Sequence, residues 1–307
     1  MEEILDTKVY GNLKNRKSFE NIVKTQNVLH SYLFLGQEGI GKKLIAKEFA
    51  KGILCETKKE NCKCKSCMCF ESNNHPDFKI INEEGENIVI NTVREMIQTV
   101  YEKPILSKKK VYIINDADKM NKESQNCLLK TLEEPPEYGC FILIATNQDM
   151  ILNTIKSRCT KIIFDKLTTN ELTQILKERG IHTDDIPEKM FNLFDGSIGR
   201  AINILEKKEI YEGLDNFIDS INNQNKIDFL TKNKNVFDKE NINEILEYCI
   251  VSLFYIGKSQ NDVRYINCVK YIQEVINHLK QNCNYDMSID KMLFDIWEEV
   301  NGNNSRS

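Results

Sequence analysis

Three short stretches hold residue types that do chemistry. "GQEGIGKK", Gly36 to Lys43, follows an apolar run ending at Leu35 and precedes the helical pattern "KKLIAKEFAKGIL". Glycines at 36, 39 and 41 let a backbone turn its N–H groups toward phosphates, and Lys42 is spaced to reach the terminal ones. A serine or threonine normally follows that lysine to hold magnesium; Lys43 stands there instead, and an ammonium does not coordinate a cation. Downstream, "VYIINDADKM" ends another apolar run with Asn115 and Asp116, where a hydrolysing site would carry Asp followed by Glu. Asn115 is a weaker magnesium ligand, and Asp116 is shorter than the glutamate that would orient water. Both deficits fall on hydrolysis, so a degenerate nucleotide site with no efficient ATPase is expected. Without any ligand, the loop reads as a glycine-rich turn, and Asp116 and Asp118 as the solvated end of a strand.

The second stretch is "CETKKENCKCKSCMC". Five of the chain's eleven cysteines, Cys55, Cys62, Cys64, Cys67 and Cys69, crowd into it. Thiolates this dense in a reducing compartment favour tetrahedral zinc, and a structural site uses four protein ligands with no open position. Cys64 and Cys67 form a C-x-x-C knuckle. Cys55 and Cys62 complete the set, with Cys69 spare or standing in for Cys62. Unliganded thiols and an iron–sulfur cluster are the alternatives. His75, in "NNHPDF", reads as a hydrogen-bonded structural histidine rather than a ligand. The third stretch, "NTIKSRCTKIIF", puts Arg158 just before an apolar run, where it would project from a domain edge away from the phosphate loop. Alone, such a residue reads as a surface ion-pair arginine. Its fixed fork of donors also suits it to stabilise charge on a transferring phosphoryl group bound to another subunit.

These residues need elements to position them. Continuous apolar runs at 32–36, 78–81, 111–115, 140–146 and 161–164 read as parallel strands covered on both faces, with amphipathic helices as crossovers. Residues 1–165 are therefore expected to form a doubly wound α/β domain, with the Cys-rich module at 55–69 inserted after the phosphate-loop helix. Within it, one helix is expected to be capped by Asn91 and stopped before Pro104, and another to halt at Pro135 and Pro136. From residue 166 the strand pattern gives way to helical spacing, with Gly180, Gly196 and Gly199 marking breaks. A small helical domain is expected over 166–210 and a helical module over 211–307, with a flexible join near "INNQNK" at 221–226 and a frayed polar end.

The bulk numbers agree. A chain of 307 residues exceeds the usual single core, so two or three domains are expected. Hydrophobic content of 41% and charged content of 29% are ordinary for soluble proteins, and no apolar run reaches the length of a membrane span. The start "MEEILDTKVYGNLKN" lacks signal-peptide regions, so a cytoplasmic location is expected. A net charge of −4 argues against a strongly cationic nucleic-acid binder.

Taken in order, "HSYLFLGQEGIGK", the cysteine insertion with "NNHPDF", "VYIINDADKMN", "NCLLKTLEEPPEYGCFILIATN", "ILNTIKSRC" and "GSIGRAINIL" resemble the clamp-loader branch of the AAA+ ATPases, in particular the delta-prime family of bacterial DNA polymerase III. The resemblance covers nearly the whole chain, and "LLKTLEEPP" and "SRC" are its most specific parts. It implies an α/β P-loop AAA+ domain with a parallel sheet, a small helical lid and an all-α C-terminal collar. It implies that Arg158 inserts into the ATP site of an adjacent tau/gamma subunit as an arginine finger, and that Asn147 and Arg200 hold the sensor-1 and sensor-2 positions. The family's zinc module reads C, then C-x-x-C-x-x-C; here the triplet begins C-x-C, which leaves Cys62 against Cys69 open. Implied partners are tau/gamma and delta subunits in a hetero-oligomeric ring, with a sliding clamp and primed DNA met through the complex. The chain would be a non-hydrolysing subunit of a DNA-directed DNA polymerase, a nucleotidyltransferase, in DNA replication. Two alternatives remain: an active tau/gamma-type motor, which needs Ser or Thr at 43 and Asp-Glu at 115 and 116, and a zinc-containing DNA-binding scaffold on an inherited P-loop fold.

Overall fold

The computed structural model describes residues 11–59, 62–83, 88–184 and 186–302; the N-terminal stretch 1–10 and the tail 303–307 lie outside the described residues. The chain divides into two compact units, the first running to Thr183 and taking in Gly196–Gly199, the second comprising Asp184–Asp195 and Arg200 onward.

The first unit contains, in order, α1 (Leu13–Thr25), β1 (Ser31–Leu35), α2 (Lys42–Leu54), α3 (Lys65–Glu71), β2 (Phe78–Ile81), α4 (Ile90–Val100), β3 (Lys110–Ile114), α5 (Lys122–Glu133), β4 (Gly139–Ala145), α6 (Asn153–Lys156), β5 (Thr160–Ile163) and α7 (Thr169–Glu178). The strands form one parallel sheet in the order β2-β3-β4-β1-β5. Each expected strand is present to within a residue. The three inner strands, β1, β3 and β4, are buried along their whole length, as continuous apolar runs require when helices cover both faces.

Alternation sorts each strand's side chains onto two cores. Tyr32, Phe34, Val111, Ile113, Ile142 and Ile144 pack with Phe19 and Val23 of α1 and with Ile45, Phe49 and Ile53 of α2. Leu33, Leu35, Tyr112, Ile114, Phe141 and Leu143 pack with Met96 of α4, Leu128 and Leu132 of α5, and Ile155 of α6. Stacked rings mark both layers, Phe19 on Phe49 at 4.4 Å and Tyr112 on Phe141 at 5.5 Å between centroids.

Helix boundaries follow local chemistry in most places. The Asn121 side chain accepts from Ser124 N at 2.8 Å to start α5, which ends at Glu133 before the prolines. Thr168 and Glu171 form a reciprocal capping box on α7. Asn91, expected as a cap, lies inside the first turn of α4; Val89 holds the cap position, with no side-chain bond. Ile90 and Asn91 are both compatible with helix and start it two residues earlier than the polar signal implied.

The second unit begins with α8 (Glu188–Phe194). Next comes α9 (Ile198–Glu206), which starts among the first unit's residues, and then α10 (Lys208–Asn223), α11 (Lys226–Lys232), α12 (Ile242–Gln260), α13 (Val263–Lys280) and α14 (Tyr285–Asn301). Gly180 and Gly196 follow helix ends with φ of +79° and +71°. Gly199 does not mark a break: it stands in the first turn of α9. The join expected near 221–226 is also tighter than its polar composition suggested. α10 continues through Asn223, and Asn225 caps α11 by accepting from Asp228 N at 3.0 Å. In this unit α12 packs on α13 and α10, and α14 on α13, α10 and α11, around Leu246, Leu253, Ile272, Leu293 and Ile296. Among the described residues no helix is long and apolar enough to cross a membrane.

Candidate functional site

β4 lies between β1 and β3 in the sheet, so the loop after β1, Asn115 after β3 and Asn147 after β4 share the sheet's C-terminal edge. That edge is where open α/β sheets gather ligand groups. The loop's shape depends on glycine. Gly39 and Gly41 have φ of +75° and +93°, and a Cβ on Gly39 would stand 2.2 Å from Ser197 Oγ and 3.2 Å from Gly199 Cα. Gly199 N donates to Gly39 O at 3.1 Å, so "GSIG" at 196–199 seats directly on the phosphate loop.

Lys42 opens α2 and is buried; its ammonium donates to Gly36 O at 2.6 Å and Gln37 O at 2.7 Å. Burial lowers its pKa, against the pull of Asp118, Asp116 and Glu38. Lys43 takes another direction. Its ammonium donates to the main-chain carbonyl of Glu83, just beyond β2, at 2.8 Å. Lys47, one turn further along α2, pairs with the Glu83 carboxylate and holds it below the usual carboxylate range. Two lysines thus fasten α2 to the segment after β2.

The groups at the end of β3 are also engaged. Asn115 Nδ2 donates to Asn82 O at 3.1 Å, and Asn82 Nδ2 donates back to Asn115 O at 3.2 Å. Asp116 adopts the left-handed conformation at φ +50° and pairs with Lys119 at 2.9 Å. Asp and Asn tolerate that conformation better than longer residues, so the left-handed turn itself selects against glutamate here. Asp118 is not merely a solvated strand end: its Oδ2 accepts from Thr146 N at 3.1 Å and Asn147 N at 2.7 Å, tying β3's exit to β4's. Asn147 uses its own side-chain oxygen to accept from Asp149 N at 2.9 Å. Arg200, on α9, forms an ion pair with Glu247 of α12 at 2.6 Å in the second unit.

The cysteine insertion gathers four thiols. The sulfurs of Cys55, Cys62, Cys64 and Cys67 all lie within 4.8 Å of one another, with Cys55 and Cys67 buried. Four sulfurs at about 2.3 Å from a tetrahedral zinc stand about 3.8 Å apart, so the cluster needs only a small contraction to close on a metal. Cys69 is not in this group: it lies two residues beyond Cys67 on α3, a spacing that does not share a helical face. Cys62 accepts from Cys64 N at 3.3 Å and lies 2.9 Å from the Thr57 hydroxyl, which with burial opposing brings its pKa down to about 7. Burial pushes the Cys67 thiol up. The set can bind a metal ion.

His75 sits beside this module and outside the thiol group. It is buried, Nδ1 accepts from Asp77 N at 3.1 Å, and Nε2 therefore carries the proton donated to Ser66 Oγ at 2.8 Å. Ser66 and Ser107 both donate to Leu54 O, at 2.8 and 2.9 Å, which caps the end of α2. Asp77, also buried, accepts from the backbone N–H groups of Ile105, Leu106 and Ser107, each at 2.7 Å. This network joins the knuckle helix α3 to the sheet, and burial lowers the His75 pKa.

Arg158 is at the other end of the sheet. Ser31 Oγ, at the start of β1, donates to Arg158 O at 2.6 Å, whereas the phosphate loop begins after Leu35. The four residue steps of β1 put about 13 Å between those ends. The guanidinium is held on its own side by Glu133 at 2.5 Å, at the end of α5, and by Thr154 O at 2.8 Å. Nothing in residue spacing marks Glu133, Asn82, Glu83, Thr57 or Lys58 as contributors; the doubled acid in "LEEPP" is the only sequence signal for the first.

A phosphate loop after β1, polar groups after β3 and β4, a β2-β3-β4-β1-β5 sheet and a following helical region define an AAA+ fold of the P-loop class. The family model for DNA polymerase III, delta subunit, matches residues 11–168, and the chain belongs to this family, within the clamp-loader branch. Relatives include the DNA polymerase III subunit delta' of Bacillus subtilis, 34% identical over 167 residues, or 54% of this chain and 51% of that protein. The subunit gamma/tau of Mycoplasma pneumoniae is 34% identical over 194 residues, 61% of this chain and 28% of that protein. The chain thus spans less than two thirds of the length of these relatives. A gamma subunit-related protein of DNA polymerase III from Thermotoga maritima has the same fold, with a TM-score of 0.50 over 92% of this chain and 98% of that one, at 15% identity.

Proposed function

We propose that this chain is a delta-prime-type clamp-loader subunit of DNA polymerase III, a ring member that does not hydrolyse ATP efficiently itself. It supplies Arg158 to the ATP site of a neighbouring tau/gamma-type subunit and so helps place a sliding clamp on primed DNA. The observation that carries the reading is the position of Arg158, a β-strand's length from the chain's own phosphate loop and on the opposite edge of the sheet. Within this reading, residues 1–165 are the AAA+ domain, 166–210 the lid and 211–307 the collar that holds the ring. Asn147 and Arg200 stand at sensor positions, and the protein works in the cytoplasm.

Support also comes from the loop. Lys43 replaces the magnesium-binding hydroxyl and bonds to Glu83 O, while the Asn115 amide is paired with Asn82. Cys55, Cys62, Cys64 and Cys67 hold a structural zinc, which supplies a closed four-thiolate tether and no reaction. The test compares ATP binding and hydrolysis by the chain alone, by a tau/gamma-type subunit alone, and by the two mixed. The reading expects negligible turnover from the chain and a gain on mixing. Strong turnover by the isolated chain would instead make it a motor subunit.

A further inference from the structure

Four thiolates around a dipositive ion leave a net charge of −2, and partly burying that charge carries a desolvation cost that a nearby cation offsets. The chain places a cation there. Lys58 follows Cys55 by three residues, and its ammonium turns back to donate to Gly52 O at 3.0 Å and Ile53 O at 2.5 Å, the carbonyls within one turn of Cys55. To do so its backbone takes the left-handed conformation, φ +55°, which is uncommon for a lysine. Burial disfavours its charge, while Cys55, Cys67 and Cys64, three of the four thiol residues, favour it; Lys108 is the opposing neighbour.

We propose that Lys58 is the outer-shell counter-cation of the four-thiolate centre and a determinant of its metal affinity. The inference rests on the reading of the cysteine cluster as a metal site. The competing account makes Lys58 only a cap for the last carbonyls of α2, a role that lysines commonly play. The two accounts differ in what a neutral donor does. Lys58→Gln keeps an N–H donor and removes the charge, and Lys58→Arg keeps both.

The experiment is a chelator competition for zinc on the full chain, together with the thiolate-to-metal charge-transfer band of the cobalt(II)-loaded protein. Outer-shell partners typically change metal affinity by about 10- to 100-fold, so Lys58→Gln should weaken zinc by that factor and shift the cobalt band, and Lys58→Arg should restore both. If the wild-type chain binds no metal, the metal reading fails and takes the inference with it. If the wild type binds one ion and Lys58→Gln binds it equally well, the inference alone is overturned. A cap-only role would lower the stability of metal-loaded and metal-free protein alike and leave the affinity and the band where they were. Should Lys58→Gln be unfolded without metal, the zinc concentration that folds it gives the same comparison.

Discussion

Removing the His75 ring separates a structural histidine from a metal ligand. In His75→Ala the Ser66 hydroxyl loses its 2.8 Å donor and the buried Asp77 N–H loses its 3.1 Å acceptor. Two hydrogen bonds at about 1 kcal/mol each, plus about 1–3 kcal/mol for leaving a buried donor unpaired, give a destabilisation of about 3–5 kcal/mol. Ser107, 3.3 Å from Nε2, still caps Leu54 O, which favours the lower end. For a domain of this size each kcal/mol moves the midpoint about 2–4 °C, so a drop of roughly 6–20 °C is expected. Because the chain has two units, unfolding of the first is best followed by hydrogen exchange of the β1 and β3 amides alongside the thermal melt. Metal content should stay at wild-type level. A variant that loses its metal but keeps wild-type stability in the metal-free form would refute the structural assignment. The same histidine sets a pH slope. Burial holds its folded pKa below the ordinary 6.5, so the unfolded chain binds more protons as pH falls below that value. Stability contributed by the neutral ring is complete above that pH and declines down to the folded pKa. Wild type should show this slope and His75→Ala should lack it.

Other outcomes follow from the same geometry. Cys62→Ser should abolish stoichiometric metal binding and Cys69→Ser should leave about one equivalent, as read by metal analysis of purified protein; the reverse pattern would show that Cys69 is the ligand in place of Cys62. Lys43→Thr restores the missing hydroxyl and breaks one bond to Glu83 O, at a cost of about 0.5–1.5 kcal/mol, but should not restore ATP turnover because Asn115 and Asp116 remain. Turnover at a motor subunit's rate in that single variant would contradict the account of the loop. Gly39→Ala forces a Cβ against Ser197 Oγ at a left-handed position, and should release the 196–199 segment to faster amide exchange.

Much of the fold was legible because buried parallel strands are written as unbroken apolar runs. All five strands of the sheet to within a residue, and α2 to the residue, can be read off the sequence. Boundaries resolved by backbone compatibility were less legible, as at Val89 and Asn91, since a polar residue signals a cap only when its side chain has an N–H to accept. Gly199 misleads for a related reason: glycine there serves a close backbone approach to Gly39, not a helix end. At the site, residue type marks Lys43 as a group that does not coordinate a cation and Asn115 as a weaker magnesium ligand, but where each side chain goes depends on Glu83 and Asn82, which β2 brings in from over thirty residues away. The cysteine spacing left Cys62 and Cys69 in competition. α3, starting at Lys65, turns Cys69 off the face that carries Cys67, and Cys62 is the one whose sulfur joins the other three.

The role of Arg158 is tested most directly by the DNA-stimulated ATPase of the complex assembled with tau/gamma-type subunits, comparing wild type with Arg158→Ala. Loss of a finger arginine costs about 10³-fold or more at the site it serves. The account expects that site to fall silent while gel filtration shows the complex intact. An intact complex in which Arg158→Ala leaves the ATPase unchanged would contradict it.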